Sequence, residues 1–249
     1  MTRRKILITG ASSGLGAGMA REFARRGRDL ALCARRVANL EELRAELLAA
    51  HPGLTVAVRA LDVDDHAAVP KVFGELRDEL GGLDRVIVNA GIGKGALVGT
   101  GRAQANLATA TTNFVSALAQ AEAAMSIFRA QDVGHLVLIS SMSAVRGLPG
   151  KKAAYSASKA GLSALGEGLA IELRRSPIKV TTVQPGFIAT ELSARAGDAK
   201  LVAPLDKGVN AMVAAIEREA VRASVPQWPW RVLAAVMPVL PRGVMARMG

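Results

Sequence analysis

The sequence predicts a three-layer α/β fold, in which helices cover both faces of a doubly wound, mainly parallel sheet. Short apolar runs rich in β-branched residues alternate with longer segments of helical periodicity, which is the pattern of repeated βαβ units. Half of the 249 residues are apolar and only 3% are aromatic, a composition that suits helices packed closely on a buried sheet. This length fits one continuous core, so we predict a single domain over residues 1–223 and a dependent segment over 224–249.

The alternation places six strands and five helices along the chain. The strands are predicted at residues 5–9, 29–34, 55–61, 85–89, 135–140 and 179–184. The helices between them are predicted near residues 14–26, 38–50, 65–80, 103–130 and 153–174. Strands joined through helices in this way form a doubly wound sheet.

The charge and the cysteine content exclude several classes of function. The net charge is +11, but the basic residues are scattered as pairs with acidic residues between them, so nucleic-acid binding is not predicted. Cys33 is the only cysteine, which excludes an internal disulfide and a cysteine-based zinc site and is compatible with a reducing cytoplasm. No metal site is predicted. The charged start of the chain resembles a signal peptide, but its apolar run ends at Thr9 and therefore predicts a strand.

A glycine-rich segment, TGASSGLG at residues 9–16, follows the first strand and opens the first helix. Its glycines allow a sharp turn that brings backbone N–H groups against a pyrophosphate at the positive end of the helix. Because the segment stands directly after the first strand of an alternating pattern, it predicts a dinucleotide cofactor. The predicted contacts in this loop are Gly10, Ser12, Ser13, Gly14, Leu15 and Gly16.

The end of the second strand bears on the choice of cofactor. An NAD site would have an acidic residue there for the ribose hydroxyls, but the chain has Arg35 and Arg36 and no acid before Asn39. Arginine can bind a 2′-phosphate bidentately, so NADP is predicted in preference to NAD. If these arginines were only solvated residues at the start of the next helix, the choice between NADP and NAD would stay open.

Three further segments complete a recognisable set: VNAG at 88–91, YSASK at 155–159 and PGFIAT at 185–190. In order and spacing, the four segments resemble those of the short-chain dehydrogenase/reductase family in its compact form, from about residue 5 to residue 190. The resemblance implies a Rossmann-type catalytic domain with a sheet usually of seven strands and a nicotinamide cofactor. It also implies a homodimer or homotetramer assembled through the helices at 103–130 and 153–174.

The resemblance assigns the chemistry to four side chains. Tyr155 and Lys159 match the Y-x-x-x-K pair of the family, and Asn113 lies where the family places its catalytic asparagine. A serine that ends the fifth strand corresponds to Ser141, although one extra residue separates it from Tyr155. Ser140 and Ser143 remain alternatives for this serine.

The residue types agree with that assignment. A tyrosine ordinarily loses its proton near pH 10, and a cation nearby lowers its pKa. Lys159 lies one helical turn after Tyr155 and on the same face, so we expect it to favour the phenolate. Tyr155 can then exchange a proton with a carbonyl or alcohol oxygen, while Ser141 stabilises the charge on that oxygen. By resemblance, Asn113 holds a water that relays protons through Lys159.

The remaining cofactor contacts follow from the resemblance. They are Asp62 and Val63 for the adenine, Asn89, Ala90 and Gly91 for the adenosine ribose, and Pro185, Gly186, Ile188 and Thr190 for the nicotinamide side. The resemblance also counts Tyr155 and Lys159 among the cofactor contacts, with Lys159 on the nicotinamide ribose. Asn89 has an alternative structural role, in which it ties neighbouring strands together.

These observations predict an NADP-dependent oxidoreductase that acts on a carbonyl/alcohol pair. The alternatives are a non-catalytic NADP-sensing protein and an epimerase or dehydratase of the same superfamily. The segment 224–249 holds both tryptophans, several arginines and no acid. Its longest uncharged run, residues 232–241, is shorter than the roughly 20 residues that span a bilayer. The segment is predicted either to lie on a membrane surface or to pack over the cleft of a hydrophobic substrate.

Overall fold

The computed structural model describes residues 3–190 and 202–246, and it has the predicted fold class. Seven strands are described: β1 (Lys5–Thr9), β2 (Asp29–Ala34), β3 (Val56–Ala60), β4 (Arg85–Val88), β5 (Gly134–Ile139), β6 (Ile178–Pro185) and β7 (Arg222–Val225). They form one sheet in the order β3-β2-β1-β4-β5-β6-β7, and every neighbouring pair is parallel. The order reverses between β1 and β4, and ligands of such sheets bind beyond the carboxyl ends of the strands at that point.

Helices cover both faces of the sheet. They are α1 (Gly14–Arg25), α2 (Val37–Ala50), α3 (Ala68–Leu80), α4 (Ala103–Ala110), α5 (Ser116–Gln131), α6 (Ala153–Glu172), α7 (Leu205–Glu217), α8 (Gln227–Val236) and α9 (Arg242–Ala246). Alternate residues of β1 point to opposite faces. Ile6 and Ile8 pack in one apolar cluster with α1, α2 and α7, whereas Leu7 packs in the other with α3, α5 and α6.

The sequence pattern located most of these elements and missed some of them. The first two strands have the predicted bounds, and the seven-stranded sheet implied by the resemblance is confirmed. The pattern did not predict β7 or α7. The single helix predicted at 103–130 is interrupted by a π-helical turn, Thr111–Val115, between α4 and α5. The predicted boundary between the domain at 1–223 and the segment at 224–249 falls inside β7.

A buried network of polar side chains lies at the amino ends of β4 and β5. Arg85 is 1% exposed, and its guanidinium donates to His135 Nδ1 at 2.8 Å and to Glu217 Oε1 at 2.6 Å. His135 Nε2 lies 2.8 Å from Thr181 Oγ1. Because Nδ1 accepts a hydrogen bond, the proton of the neutral ring is on Nε2 and is donated to Thr181. Burial, followed by the charge of Arg85, holds the pKa of His135 well below its ordinary 6.5.

We predict that this histidine makes the fold sensitive to mild acid. Unfolded His135 takes up a proton below about pH 6.5, whereas the folded protein keeps it neutral, so stability is lost as the pH falls. The free energy of unfolding in urea should drop by about 1.4 kcal/mol from this group between pH 7.5 and 5.5. A His135→Gln variant should be less stable at both pH values but should lose this part of the decrease. An equal decrease in both proteins would contradict the prediction.

Candidate active site

The glycine-rich turn after β1 is shaped for close approach of a ligand. Gly10 and Gly14 have φ values of +65° and +54°, in the left-handed region that favours glycine. A Cβ on Gly16 would overlap the carbonyl oxygen of Gly10 and lie 2.8 Å from Asn89 Nδ2. The N-cap residue of α1, Ser13, makes no side-chain hydrogen bond to the helix, so the helix start keeps N–H groups for an anion.

Asn89 joins β4 to this turn, as its alternative structural role predicts. Its side-chain amide donates to the Thr9 carbonyl oxygen at 2.9 Å. The backbone N–H groups of Asn89 and Ala90 both donate to the Thr9 hydroxyl, at 3.0 and 3.1 Å. These bonds fix the ends of β1 and β4 against each other at the point where the strand order reverses.

The arginines predicted to choose the cofactor border the turn and a neighbouring cavity. The guanidinium of Arg36 donates to the hydroxyls of Ser12 and Ser13. The guanidinium of Arg35 lies 4.0 Å from the Asp62 carboxylate. Both residues of that pair line a cavity of about 450 Å³ that also includes Leu61. Apolar side chains beside a carboxylate, here Leu61 beside Asp62, are the kind of lining that small-molecule sites use. Val63 differs, since its side chain is buried in the apolar core.

Helix α6 carries both Tyr155 and Lys159, as predicted. Lys159 is 5% exposed, and its ammonium donates to the Ile139 carbonyl oxygen at 2.8 Å. Burial lowers the pKa of Lys159 from 10.5 to about 8.

The pKa of Tyr155 differs from the expectation. Burial raises the pKa of its phenol above the ordinary value, and a hydrogen bond with Ser141 opposes that shift. We expected Lys159 to lower the pKa of Tyr155. The structure gives the opposite direction, because the burial of the phenol outweighs the opposing effect of Ser141.

The three candidate serines have different surroundings. Ser141 is partly buried and lowers the pKa of the Tyr155 phenol, and its hydroxyl oxygen accepts from the N–H of Ser143 at 3.1 Å. Ser140 is buried, and its hydroxyl is bonded to the Lys159 carbonyl and to Ser163. Ser143 is tied to Ser141 through its backbone N–H. Of the three serines, Ser141 is therefore the one that acts on the Tyr155 phenol.

Asn113 lies in the π-turn and is 0% exposed. Its Oδ1 accepts from the Ile92 N–H at 2.8 Å and its Nδ2 donates to the Ile92 carbonyl oxygen at 2.9 Å. A Cβ on Gly91 would lie 3.0 Å from Asn113 Oδ1 and 3.5 Å from Lys159 Nζ. Asn113, Lys159 and Gly91 are thus brought together, and a side chain at position 91 would separate the two polar groups.

The segment after β6 carries the residues predicted for the nicotinamide side. Pro185 ends β6, and a Cβ on Gly14 would lie 3.8 Å from the side chain of Thr190. Ile188 is buried and bridges to Ala203. A Cβ on Gly186 would overlap the indole of Trp230, which also makes an edge-to-face contact with Phe187 at 5.6 Å.

Trp230 is a neighbour of this site that no pattern in the sequence indicated. Trp230 is 6% exposed, and Met237 and Met245 are buried with it. Arg146, which follows the candidate serines, donates to the Pro238 carbonyl oxygen. The C-terminal segment therefore packs on both the serine loop and the segment after β6. No helix within residues 3–190 or 202–246 combines the length and the apolarity that crossing a membrane requires.

Comparison with known proteins decides the family. The family model for short chain dehydrogenases matches residues 4–201. The chain belongs to the short-chain dehydrogenase family. An uncharacterized oxidoreductase of Mycobacterium tuberculosis is 59% identical over 241 residues, which cover 97% of this chain and 95% of that protein. Membership of the short-chain dehydrogenase family makes the chain an oxidoreductase with a nucleotide-binding Rossmann-type fold.

Solved structures agree with the short-chain dehydrogenase fold. A short chain dehydrogenase/reductase of Burkholderia phymatum in complex with NAD has a TM-score of 0.84, with 95% of this chain and 92% of that chain covered. It is 21% identical, so the likeness concerns the fold alone. The NADPH-dependent 3-quinuclidinone reductase of Rhodotorula rubra is 26% identical, with a TM-score of 0.79 and 90% of each chain covered.

Proposed function

We propose that the protein is an NADP-dependent oxidoreductase that transfers hydride between a nicotinamide and a carbonyl or alcohol substrate, with Tyr155 as general acid and base. The observation that carries the proposal is the placement of three side chains: the buried ammonium of Lys159 faces Gly91 together with Asn113, and Tyr155 lies one turn earlier on the same helix, where Ser141 acts on the pKa of its phenol. Asn89, two residues before Gly91, bonds the start of the glycine-rich turn, and the helix that follows this turn offers N–H groups to a pyrophosphate.

Tyr155 and Ser141 together would activate a substrate oxygen. Burial keeps the phenol protonated at neutral pH, so Tyr155 can donate its proton to a carbonyl oxygen. Ser141 can hydrogen-bond the same oxygen and stabilise the negative charge that develops on it. A bound nicotinamide supplies or accepts the hydride and, when oxidised, adds positive charge beside the phenol. Alcohol oxidation requires the phenolate and should therefore increase as the pH rises.

Lys159 and Asn113 would return the proton to Tyr155. The lysine pKa of about 8 lets this group gain or lose a proton near neutrality. The polar groups of Lys159 and Asn113 both face Gly91, where a water can be held between them. In this proposal, Asn113 positions that water and Lys159 passes the proton between it and the phenol.

The cofactor preference rests on Arg36 and Arg35. Arg36 already bonds the two serines of the glycine-rich turn, so its charge stands at the edge of the phosphate site. The 3-quinuclidinone reductase that resembles this chain is NADPH-dependent, which supports the same choice. Arg35, beside Asp62, would cover one face of the adenine.

We predict that Arg36→Gln weakens the use of NADPH selectively. Loss of charged hydrogen bonds to a 2′-phosphate costs about 1.5–3 kcal/mol, so KM for NADPH should rise by about 10- to 150-fold. KM for NADH should change by less than about threefold, since NADH lacks that phosphate. The matched control is Arg44→Gln, which removes an equal charge from an exposed arginine paired with Glu41. An equal rise for both cofactors would exclude a 2′-phosphate role for Arg36.

Substrate turnover separates this proposal from its alternatives. NADPH consumption should be followed at 340 nm with ketones, aldehydes, steroids and acyl thioesters. Consumption with any of these supports the oxidoreductase. NADPH binding without turnover of any carbonyl would favour the sensing protein, and conversion of a sugar nucleotide without net NADPH consumption would favour an epimerase or dehydratase.

The C-terminal segment supports a hydrophobic substrate in this proposal. Its inner face, which includes Trp230, packs on Gly186 and Phe187, so the segment would form an apolar wall of the substrate cleft. Peripheral membrane contact through residues 224–249 is the second hypothesis, because Trp228 and Val239 on the outer face are each 79% exposed. Sedimentation with anionic vesicles that is lost in a Trp228→Ser, Val239→Ser variant would favour the membrane; no sedimentation of the full chain would exclude it.

We also propose assembly into a homodimer or homotetramer. The helical segments around residues 103–130 and 153–174 expose Leu107, Val115 and Ile171, at 60%, 46% and 69%. On α6, Gly168 has no neighbour within 4 Å of the position that a Cβ would occupy, which leaves room for a second helix. Sedimentation equilibrium of the full chain measures the state directly, and a monomer at all concentrations would contradict this proposal.

A further inference from the structure

The turn that carries Asn113 is an unusual piece of backbone. Residues Thr111–Val115 form a single π-helical turn between two α-helical stretches. Such turns are rare and are found mainly at functional sites. The backbone hydrogen bonds of a π-turn span one residue more than those of an α-helix, which rotates the side chains along the helix. The contacts that hold this turn therefore also set the direction of the Asn113 side chain.

Asp64 is bonded to this turn from a neighbouring loop. Its Oδ2 accepts from the Thr112 hydroxyl at 2.8 Å, and its Oδ1 accepts from the Ser116 hydroxyl at 2.7 Å. Thr112 and Ser116 stand on either side of Asn113 and are 6% and 0% exposed. Since the Ser116 proton goes to Asp64, the Ser116 oxygen accepts from His66 Nε2 at 2.9 Å. Hydrogen bonds to a carboxylate are short and strong, so the two hydroxyls are fixed to Asp64.

The loop that carries Asp64 also borders the cavity assigned to the adenine. The N–H of Asp64 donates to Asp62 Oδ1 at 3.2 Å, and Asp62 lines that cavity together with Arg35. One short loop therefore contacts the adenine end of the nucleotide site through Asp62 and the Asn113 turn through Asp64.

We propose that Asp64 is a positioning residue: its carboxylate anchors the π-turn so that Asn113 faces Lys159. The inference rests on the proposed function, because it requires Asn113 to take part in proton transfer. On the other side of the turn, Phe114 packs on Gly161 of α6, where a Cβ would lie 3.1 Å from the ring. The apolar contact fixes one side of the turn and the carboxylate fixes the other.

Kinetics of Asp64→Ala test the proposal. We expect kcat for carbonyl reduction to fall by about 10- to 100-fold, because small displacements of a catalytic group have effects of this size. KM for NADPH should change by less than about threefold, since Asp64 would not touch the cofactor. Thr112→Val, which removes one of the two hydroxyls at nearly constant volume, should give a smaller decrease in kcat than Asp64→Ala, because the bond from Ser116 to Asp64 remains.

Asp29→Ala is the matched control. Asp29 begins β2, at the end of the sheet away from the nucleotide site, and its carboxylate accepts from the N–H of Thr55 at 2.9 Å. This variant should lose stability without losing kcat. An equal loss of kcat in Asp29→Ala and Asp64→Ala would show that kcat follows only the stability of the fold and would overturn the proposal.

A double substitution distinguishes positioning from an independent effect. If Asp64 acts through Asn113, Asp64→Ala should lower kcat little further in an Asn113→Ala background. Effects that multiply in full would overturn the proposal, as would unchanged kcat in Asp64→Ala. Full kcat in Asn113→Ala alone would have a different meaning, because it would remove the relay from the proposed function and this inference with it.

Discussion

Replacing Tyr155 by phenylalanine should lower kcat for carbonyl reduction by about 10²- to 10⁴-fold, the usual contribution of a positioned general acid. Phenylalanine keeps the ring but lacks the hydroxyl on which Ser141 acts. The side chain is partly buried on α6, so the ring can stay in place. NADPH binding, measured by the fluorescence of the nucleotide, should change much less than kcat. Undiminished reduction in this variant would show that the catalytic assignment is wrong.

The candidate serines provide the control for this experiment. Ser141→Ala should lower kcat by about 10²- to 10³-fold, since it removes a donor from the developing oxyanion. Ser143→Ala should have little effect, because Ser143 bonds Ser141 through its backbone N–H, which alanine retains. The reverse order would assign the oxyanion role to Ser143 and keep Tyr155 as the acid.

The predictable part of the site depends on short-range spacing. Tyr155 and Lys159 share a helix because one turn separates them, and the turn of TGASSGLG follows from its glycines. The strands β1 and β2 have the predicted bounds because each is a buried apolar run between clear breaks. In each of these cases the sequence itself contains the physical cause, so no distant part of the chain had to be known.

The unpredicted part depends on contacts between distant segments. Strand β7 has only four residues, including Arg222, and it forms because β6 offers it a parallel edge. Trp230 meets Gly186 across 44 positions of sequence, where the glycine was assigned only to the cofactor. The π-turn differs from an α-helix by one residue in the bonding pattern and leaves no compositional signal. The pKa of Tyr155 depends on burial, which the sequence does not give.

Replacing Gly16 by alanine should abolish measurable NADPH binding. The new methyl group would overlap the Gly10 carbonyl oxygen and approach Asn89 Nδ2 to 2.8 Å, so the backbone of the turn has to move. That movement would displace the N–H groups of the pyrophosphate site and disturb the bond from Asn89 to Thr9. We expect Kd for NADPH to rise more than about 100-fold, together with a loss of about 1–3 kcal/mol in the free energy of unfolding.

Gly74→Ala is the matched control, because this glycine lies inside α3 and has nothing within 4 Å of the position of a Cβ. Alanine is a better helix former than glycine by about 1 kcal/mol, so this variant should be slightly more stable and should bind NADPH normally. The two substitutions add the same methyl group, and only the one at position 16 meets backbone atoms. Normal NADPH binding by a folded Gly16→Ala protein would mean that the nucleotide does not lie against this turn.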